Sequence, residues 1–131
     1  MGLIYHEDDR AQRLIDVFPL DKGQVNVSYV ASTKPIVAWH AHQFQTDYWL
    51  CVKGSFKVGW ATEEDGAEWK YISDKNNNVI EIPPGIFHGY QALQPDSILM
   101  YYVTKKYNPS EPDEIRKPVG YFGENWEVEN K

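Results

Sequence analysis

The chain has 131 residues and a net charge of −6, a length that is typical of one domain and sufficient to bury a core. Its single cysteine excludes an intramolecular disulfide framework, and it has no apolar run of the roughly 20 residues that a membrane span requires. The acidic charge argues against nucleic acid as a partner and the N terminus lacks the features of a signal peptide, so we expect a cytoplasmic protein without a membrane partner.

Short β-rich segments dominate the chain, and helical periodicity is hard to find. Residues 24–29 and 55–60 alternate polar and apolar side chains over their whole length. Clusters of Gly, Pro, Asn and Asp separate the segments and predict turns. The predicted strands are 24–29, 36–39, 48–52, 55–60, 79–82 and 97–103. Short strands at this spacing predict an all-β sandwich or small barrel.

The last part of the chain departs from this pattern, because three prolines interrupt it and little periodicity remains. We therefore predict a single domain, 1–131, with a core at about 12–104 and an irregular C-terminal tail at 105–131. The tail is expected to pack on the barrel through four apolar side chains, Ile115, Tyr121, Phe122 and Trp126.

Three histidines occupy informative positions. His40 and His42 are two residues apart on a strand, so their side chains face the same side of the sheet. The neighbouring Trp39 then points the other way, towards a sheet neighbour or a partner subunit. His88 follows a tight turn, 83–87, that leads into another strand. If the first of these strands faces the barrel interior, the three imidazoles converge there.

These positions resemble the two sequence motifs of the cupin superfamily. His40 and His42, followed by Asp47 and Gly54 at the expected spacing, resemble the first motif, with Asp in place of the usual Glu. The segment 83–88, PPGIFH, resembles the second. The resemblance implies a double-stranded β-helix, the cupin jelly roll.

Within the cupins the chain is similar to two groups of enzymes. The segment 82–90, IPPGIFHGY, resembles dTDP-4-dehydrorhamnose 3,5-epimerases. The His40-Ala41-His42 triplet and the segment 50–55, LCVKGS, resemble the shorter dTDP-4-keto sugar 3,4-ketoisomerases. Both groups act on nucleotide-linked 4-keto sugars, so the resemblance implies a nucleotide-sugar substrate, a homodimer, and chemistry that needs neither a metal nor a redox cofactor.

The resemblance also implies roles for individual residues. His40 occupies the position of the epimerase catalytic base, and Tyr107, before an Asn-Pro pair, that of the proton-donating tyrosine. His42 matches the second catalytic histidine of the ketoisomerases. Further side chains are candidates for substrate binding, as cavity walls or phosphate ligands: His88, Trp49, Lys57, Trp60, Tyr102 and Arg116.

Two departures from the family pattern keep other functions open. Val37 stands where family members carry an arginine for the diphosphate, and the C-terminal aspartate that partners the base has no counterpart, although Asp47 is a candidate substitute. One alternative is a metal-dependent cupin enzyme, with a metal bound by the three histidines and Asp47. The other is a non-catalytic sugar-binding cupin.

Overall fold

The structure, a computed structural model, describes residues 3–76 and 78–127. Within these residues the chain forms strands and turns and no helix, and a helix capable of spanning a membrane is accordingly not found in that part of the chain. In chain order the strands are β1 (Ile4–Glu7), β2 (Gln12–Ile15), β3 (Gln24–Val30), β4 (Ile36–Ala41), β5 (Asp47–Lys53), β6 (Ser55–Thr62), β7 (Gly66–Ser73), β8 (Ile80–Ile82), β9 (Phe87–Ala92), β10 (Ser97–Val103) and β11 (Ile115–Arg116).

The strands form two main antiparallel sheets and one small hairpin. The four-stranded sheet has the order β3-β10-β5-β8, the five-stranded sheet has the order β11-β4-β9-β6-β7, and β1 pairs with β2. Consecutive strands therefore fall in different sheets along much of the chain, which is the arrangement of a jelly roll. The predicted all-β fold class is confirmed.

The main hydrophobic core lies between the two sheets. Trp49, Cys51 and Leu99 from the four-stranded sheet pack against Phe56 and Val58 from the five-stranded sheet. Phe56 and Val58 are completely buried. This packing joins the two sheets at one end of the jelly roll and leaves the other end open.

A second apolar cluster covers the outer face of the five-stranded sheet. Trp39 is fully buried there, with ring contacts to Trp69 and to Trp126 of the tail. Its ring lies so close to Gly59 that a Cβ at that position would come within 2.5 Å of it. Trp39 thus points away from the interior, as its position next to His40 predicts, and the chain's own tail covers it.

The tail packs on the barrel through part of the predicted set. Trp126 is buried and Phe122 makes an edge contact with Trp39. Ile115 and Tyr121, by contrast, are nearly half exposed, because Ile115 belongs to the two-residue edge strand β11 and the Tyr121 hydroxyl bonds Glu63 at the surface.

Candidate active site

A cavity of about 1500 Å³ opens between the two sheets. The five-stranded sheet contributes His40 and His88, which are direct neighbours across β4 and β9. The four-stranded sheet contributes Asp47 and Trp49 from β5, and the segment 104–114 closes one side. The cavity is therefore bounded by both cupin-like motifs and by the beginning of the tail.

His40 is held by a carboxylate from the tail. Its Nδ1 lies 2.5 Å from Oε1 of Glu114, whose Oε2 accepts a hydrogen bond of 3.1 Å from Arg116. Burial by itself raises the pKa of Glu114, but the hydrogen bonds from Arg116 and His40 outweigh burial and hold that pKa below its usual value. Glu114 is therefore an ionised acceptor that fixes the His40 ring with Nδ1–H as the donor, which leaves Nε2 as the basic nitrogen.

His42 is fixed by the residue next to Glu114. Its Nδ1 lies 2.5 Å from the backbone carbonyl of Asp113. The Asp113 carboxylate in turn accepts backbone N–H groups from three consecutive residues after His42, at 2.8–3.0 Å, namely Gln43, Phe44 and Gln45. This clamp joins the tail to the loop between β4 and β5 and sets the orientation of both histidines.

His88 is the most deeply buried histidine of the site. Its Nδ1–H has the carbonyl of Ile86 as acceptor, at 3.1 Å. Burial lowers the pKa of His88 to about 4, so the ring is neutral at physiological pH. Its Nε2 lies 3.6 Å from Oδ2 of Asp47, a buried carboxylate that also accepts hydrogen bonds from the Trp49 indole and the Gln45 amide.

The structure brings one part of the predicted site together. The following predicted residues line the cavity: His40, His42, His88, Trp49 and Tyr107. Tyr107 lies at the mouth and is 71% exposed, so its hydroxyl is accessible to a ligand entering from solvent.

The remaining predicted residues do not line this cavity. Lys57 is buried under the tail, with Nζ 4.1 Å from the Trp69 ring centroid and 3.4 Å from a carbonyl of the tail. Tyr102 lies on the outer side of β10, and its hydroxyl bonds the Lys22 carbonyl. Trp60 packs beside the main core under Lys70. Arg116 is exposed and contacts the site only through Glu114.

Sequence reasoning missed Asp113 and Glu114. It left open which carboxylate partners the first histidine, and in the structure Glu114 is the carboxylate that contacts His40. The candidate substitute, Asp47, lies instead between His42 and His88. The available signal was the acidic pair immediately before Ile115 and Arg116.

Comparisons with known proteins agree with this architecture. A family model described as dTDP-4-dehydrorhamnose 3,5-epimerase matches residues 5–130. A protein of Haloferax volcanii, named as a probable low-salt glycan biosynthesis epimerase, is 32% identical over 124 residues, covering 84% of this chain and 80% of its own. The spore coat polysaccharide biosynthesis protein SpsL of Bacillus subtilis is 30% identical over 140 residues, covering 97% and 93%.

Solved structures show the same fold. A dTDP-4-dehydrorhamnose 3,5-epimerase from Bacillus anthracis matches with a TM-score of 0.79 at 20% identity, covering 98% of this chain and 83% of its own. The capsular polysaccharide assembling protein CapF of Staphylococcus aureus matches with a TM-score of 0.69 at 24% identity, covering 91% of this chain. The chain spans about a third of the length of CapF.

Proposed function

The chain belongs to the dTDP-4-dehydrorhamnose 3,5-epimerase family, and we propose that it epimerises a nucleotide-linked 4-keto-6-deoxy sugar, with a dTDP sugar as the expected substrate. The observation that carries this proposal is the His40–Glu114 pair at the wall of an open cavity. A 4-ketone acidifies the protons on its neighbouring carbons, so inversion there requires a base of near-neutral pKa and a proton donor on the opposite face. Histidine supplies such a base.

His40 acts as that base through Nε2. Abstraction of the proton from C3 or C5 leaves an enolate on the sugar and an imidazolium on His40. Glu114 stabilises the imidazolium through the hydrogen bond at Nδ1 and keeps the ring in the productive tautomer. The pair therefore stabilises the positive charge that forms on His40 as the proton is taken.

Tyr107 donates its own hydroxyl proton to the carbon from the opposite face, while the abstracted proton stays on His40. Proton exchange with solvent then restores the imidazole and the phenol. The position of Tyr107 on the segment that closes the cavity, with an accessible hydroxyl, supports this role. A phenol is a weak acid, so it transfers a proton only to a basic centre such as the enolate carbon. Abstraction by His40 and donation by Tyr107 on opposite faces together invert the configuration.

Binding of the substrate is assigned to other residues of the cavity. Trp49 and His88 form an edge-to-face pair in its wall, with ring centroids 5.4 Å apart, and face the sugar. Three lysines lie in the lining, and we assign the diphosphate to them, since Val37 leaves the arginine position of the family without a charge: Lys22, Lys105 and Lys106.

Proton exchange tests the proposal. Incubation of the chain with dTDP-4-keto-6-deoxyglucose in deuterated water is expected to introduce deuterium at C3 or C5, measured by NMR. His40→Ala is expected to lower the rate of exchange by about 100-fold or more, because general base catalysis contributes about 10²–10⁴. The matched control is His6→Ala, on the exposed strand β1. Absence of exchange with every nucleotide-linked keto sugar tried would contradict the proposal.

A second candidate is a 3,4-ketoisomerase of the same substrate class. The observation that favours it is His42, a second anchored histidine in the cavity two residues from the base. The same NMR experiment separates the two reactions, because an isomerase moves the carbonyl carbon signal from C4 to C3. An epimerase leaves the carbonyl in place and changes only the configuration of its neighbours.

A homodimer forms part of the proposal. The outer face of β3 supports it, since three apolar side chains of that strand are exposed, namely Val25, Val27 and Tyr29. The cytoplasmic location remains a prediction from the sequence.

A further inference from the structure

Tyr102 is buried outside the cavity, yet its hydroxyl holds a loop that lines the cavity. The side chain lies on the outer side of β10 and the residue is only 2% exposed. Its hydroxyl accepts a hydrogen bond of 3.2 Å from the backbone N–H of Asp21 and donates one to the backbone carbonyl of Lys22. The hydroxyl therefore bridges the two ends of the Asp21–Lys22 dipeptide.

The loop 19–23 is fixed on both sides of this bridge. Before it, the buried Phe18 packs on Tyr102, with ring centroids 6.1 Å apart. After it, Gly23 has a φ of 111°, and a Cβ there would lie 2.0 Å from the carbonyl oxygen of Val103. The middle of the loop, which carries the Lys22 side chain, is the part that the Tyr102 hydroxyl holds.

The conformation of this loop matters because it carries two opposite charges. Asp21 and Lys22 both line the cavity. A diphosphate is attracted by the ammonium and repelled by the carboxylate, so its affinity depends on which of the two groups the loop directs towards it. A lysine is a point charge on a flexible stem, and the position of its backbone sets the region that the ammonium can reach.

We propose that Tyr102 is a positioning residue for the diphosphate of the substrate: its hydroxyl holds the loop so that Lys22 contacts the phosphates. This inference rests on the proposed function, which assigns the diphosphate to the lysines of the cavity. Tyr102 touches no substrate atom in this role and acts through Lys22. The substrate-binding role that the sequence predicts for Tyr102 thereby becomes an indirect one.

Calorimetry with dTDP on the full chain measures this role without any turnover. Tyr102→Phe keeps the ring and removes the hydroxyl, so we expect the affinity for dTDP to fall about 3–10-fold, as for the loss of one hydrogen bond. The matched control is Tyr48→Phe. The Tyr48 ring stacks on that of Tyr102, with centroids 5.8 Å apart, but its hydroxyl bonds Glu81, outside the cavity lining. We expect this control to keep its dTDP affinity within about twofold.

A second variant separates positioning from a general structural effect. Lys22→Gln removes the ammonium and is expected to weaken dTDP binding by about tenfold. If Tyr102 acts through Lys22, adding Tyr102→Phe to Lys22→Gln lowers the affinity by less than about twofold further, because coupled residues are not additive. Circular dichroism verifies that each variant is folded. Losses that multiply in the double variant, or an unchanged dTDP affinity in folded Tyr102→Phe, would overturn the proposal.

Steady-state kinetics on the keto sugar gives an independent readout. Tyr102→Phe is expected to raise KM by the same factor of about 3–10 and to leave kcat within about twofold, because the hydroxyl affects the binding of the diphosphate and not the reacting carbons. A loss confined to kcat would contradict a role in positioning the diphosphate.

The positioning role and the epimerase activity fail separately. A chain whose dTDP affinity responds to Tyr102→Phe as expected, but which exchanges no sugar proton, supports the positioning role and contradicts the proposed function. Exchange that persists in a chain whose dTDP affinity is indifferent to Tyr102→Phe contradicts the positioning role alone. Absence of dTDP binding by the unmodified chain would overturn the positioning role together with the expected substrate.

Discussion

At the scale of single residues, Glu114 is the group on which the behaviour of His40 depends most directly. Its carboxylate bonds Nδ1 of His40 on one side and Arg116 on the other. Because both of its carboxylate oxygens are engaged by protein groups, we expect its effect on the reaction to pass through the histidine ring. We therefore regard it as a positioning residue.

The prediction for Glu114 follows from this role. Glu114→Gln preserves the size of the side chain but removes the charge that stabilises the imidazolium, so we expect kcat to fall by about 10–100-fold. KM is expected to stay within about twofold of the unmodified chain, because substrate contacts are unchanged. Steady-state kinetics on the keto sugar measures both constants. Glu68→Gln, an exposed change on β7, is the control, and an equal loss in kcat there would contradict the assignment.

For single residues, some placements could be predicted from the sequence and others could not. His40, His42 and His88 could be assigned to one cavity because motif spacing and strand alternation are local properties. Glu114 could not, because its contact with His40 joins residues 74 positions apart. Lys57 was expected at the substrate and is instead enclosed by Trp69 and the tail, because neither the face of β6 that holds it nor the path of the tail follows from its neighbours in sequence.

At the scale of strands, the alternation of polar and apolar residues predicted where the strands lie better than it predicted which side of each strand faces the interior. Apart from Val79, all six predicted segments lie in strands, but β1, β2, β7 and β11 were not among the predicted segments. Of these, β1, β2 and β11 are short and have exposed or half-buried side chains. Which side of a strand faces inwards was also undetermined. On β10 the cavity receives Tyr101, while Tyr102 packs outside against Phe18, and a strand with apolar residues on both sides gives no local sign of that choice.

The tail acts as a structural element despite its irregular backbone. β11 extends the five-stranded sheet through pairs with Ala41 and His40, and Trp126 fills the cluster around Trp39 with its ring 4.7 Å from that of Trp69. The first contact positions Glu114 beside His40, and the second fixes the tail to the outside of the sheet. Loss of the second contact is therefore expected to affect stability more than the site.

Truncation of the Trp126 side chain tests whether its contact stabilises the fold. Trp126→Ala removes a buried ring, so we expect the free energy of unfolding to fall by about 3 kcal/mol or more, measured by urea denaturation. Val119→Ala, in the same tail but about half exposed, is expected to cost less than about 1 kcal/mol and serves as the control. Equal losses for the two variants would show that the cluster around Trp39 does not anchor the tail.

At the scale of the whole molecule, the jelly roll gathers the two motifs and the tail at one open end. The first motif arrives on β4 and β5, the second on β9, and the clamp of Asp113 joins the tail to the loop between β4 and β5. One feature of the fold, the apolar outer face of β3, is exposed in the single chain. On β3 the polar Gln24 and Asn26 face the cavity, while the apolar residues face outwards.

The outward-facing apolar side chains of β3 lead to the last prediction. β3 lies at the edge of its sheet, and Tyr29 is 78% exposed beside two half-exposed valines, a combination that single soluble domains rarely leave uncovered. We expect a second copy of the chain to cover this strip with its own β3 about a two-fold axis, so sedimentation is expected to give twice the chain mass at micromolar concentration. Val27→Lys is expected to yield monomers, whereas Val119→Lys, at an exposed valine of the tail, is expected to remain dimeric. A monomer mass for the unmodified chain would contradict the homodimer, and a dimeric Val27→Lys would place its interface elsewhere.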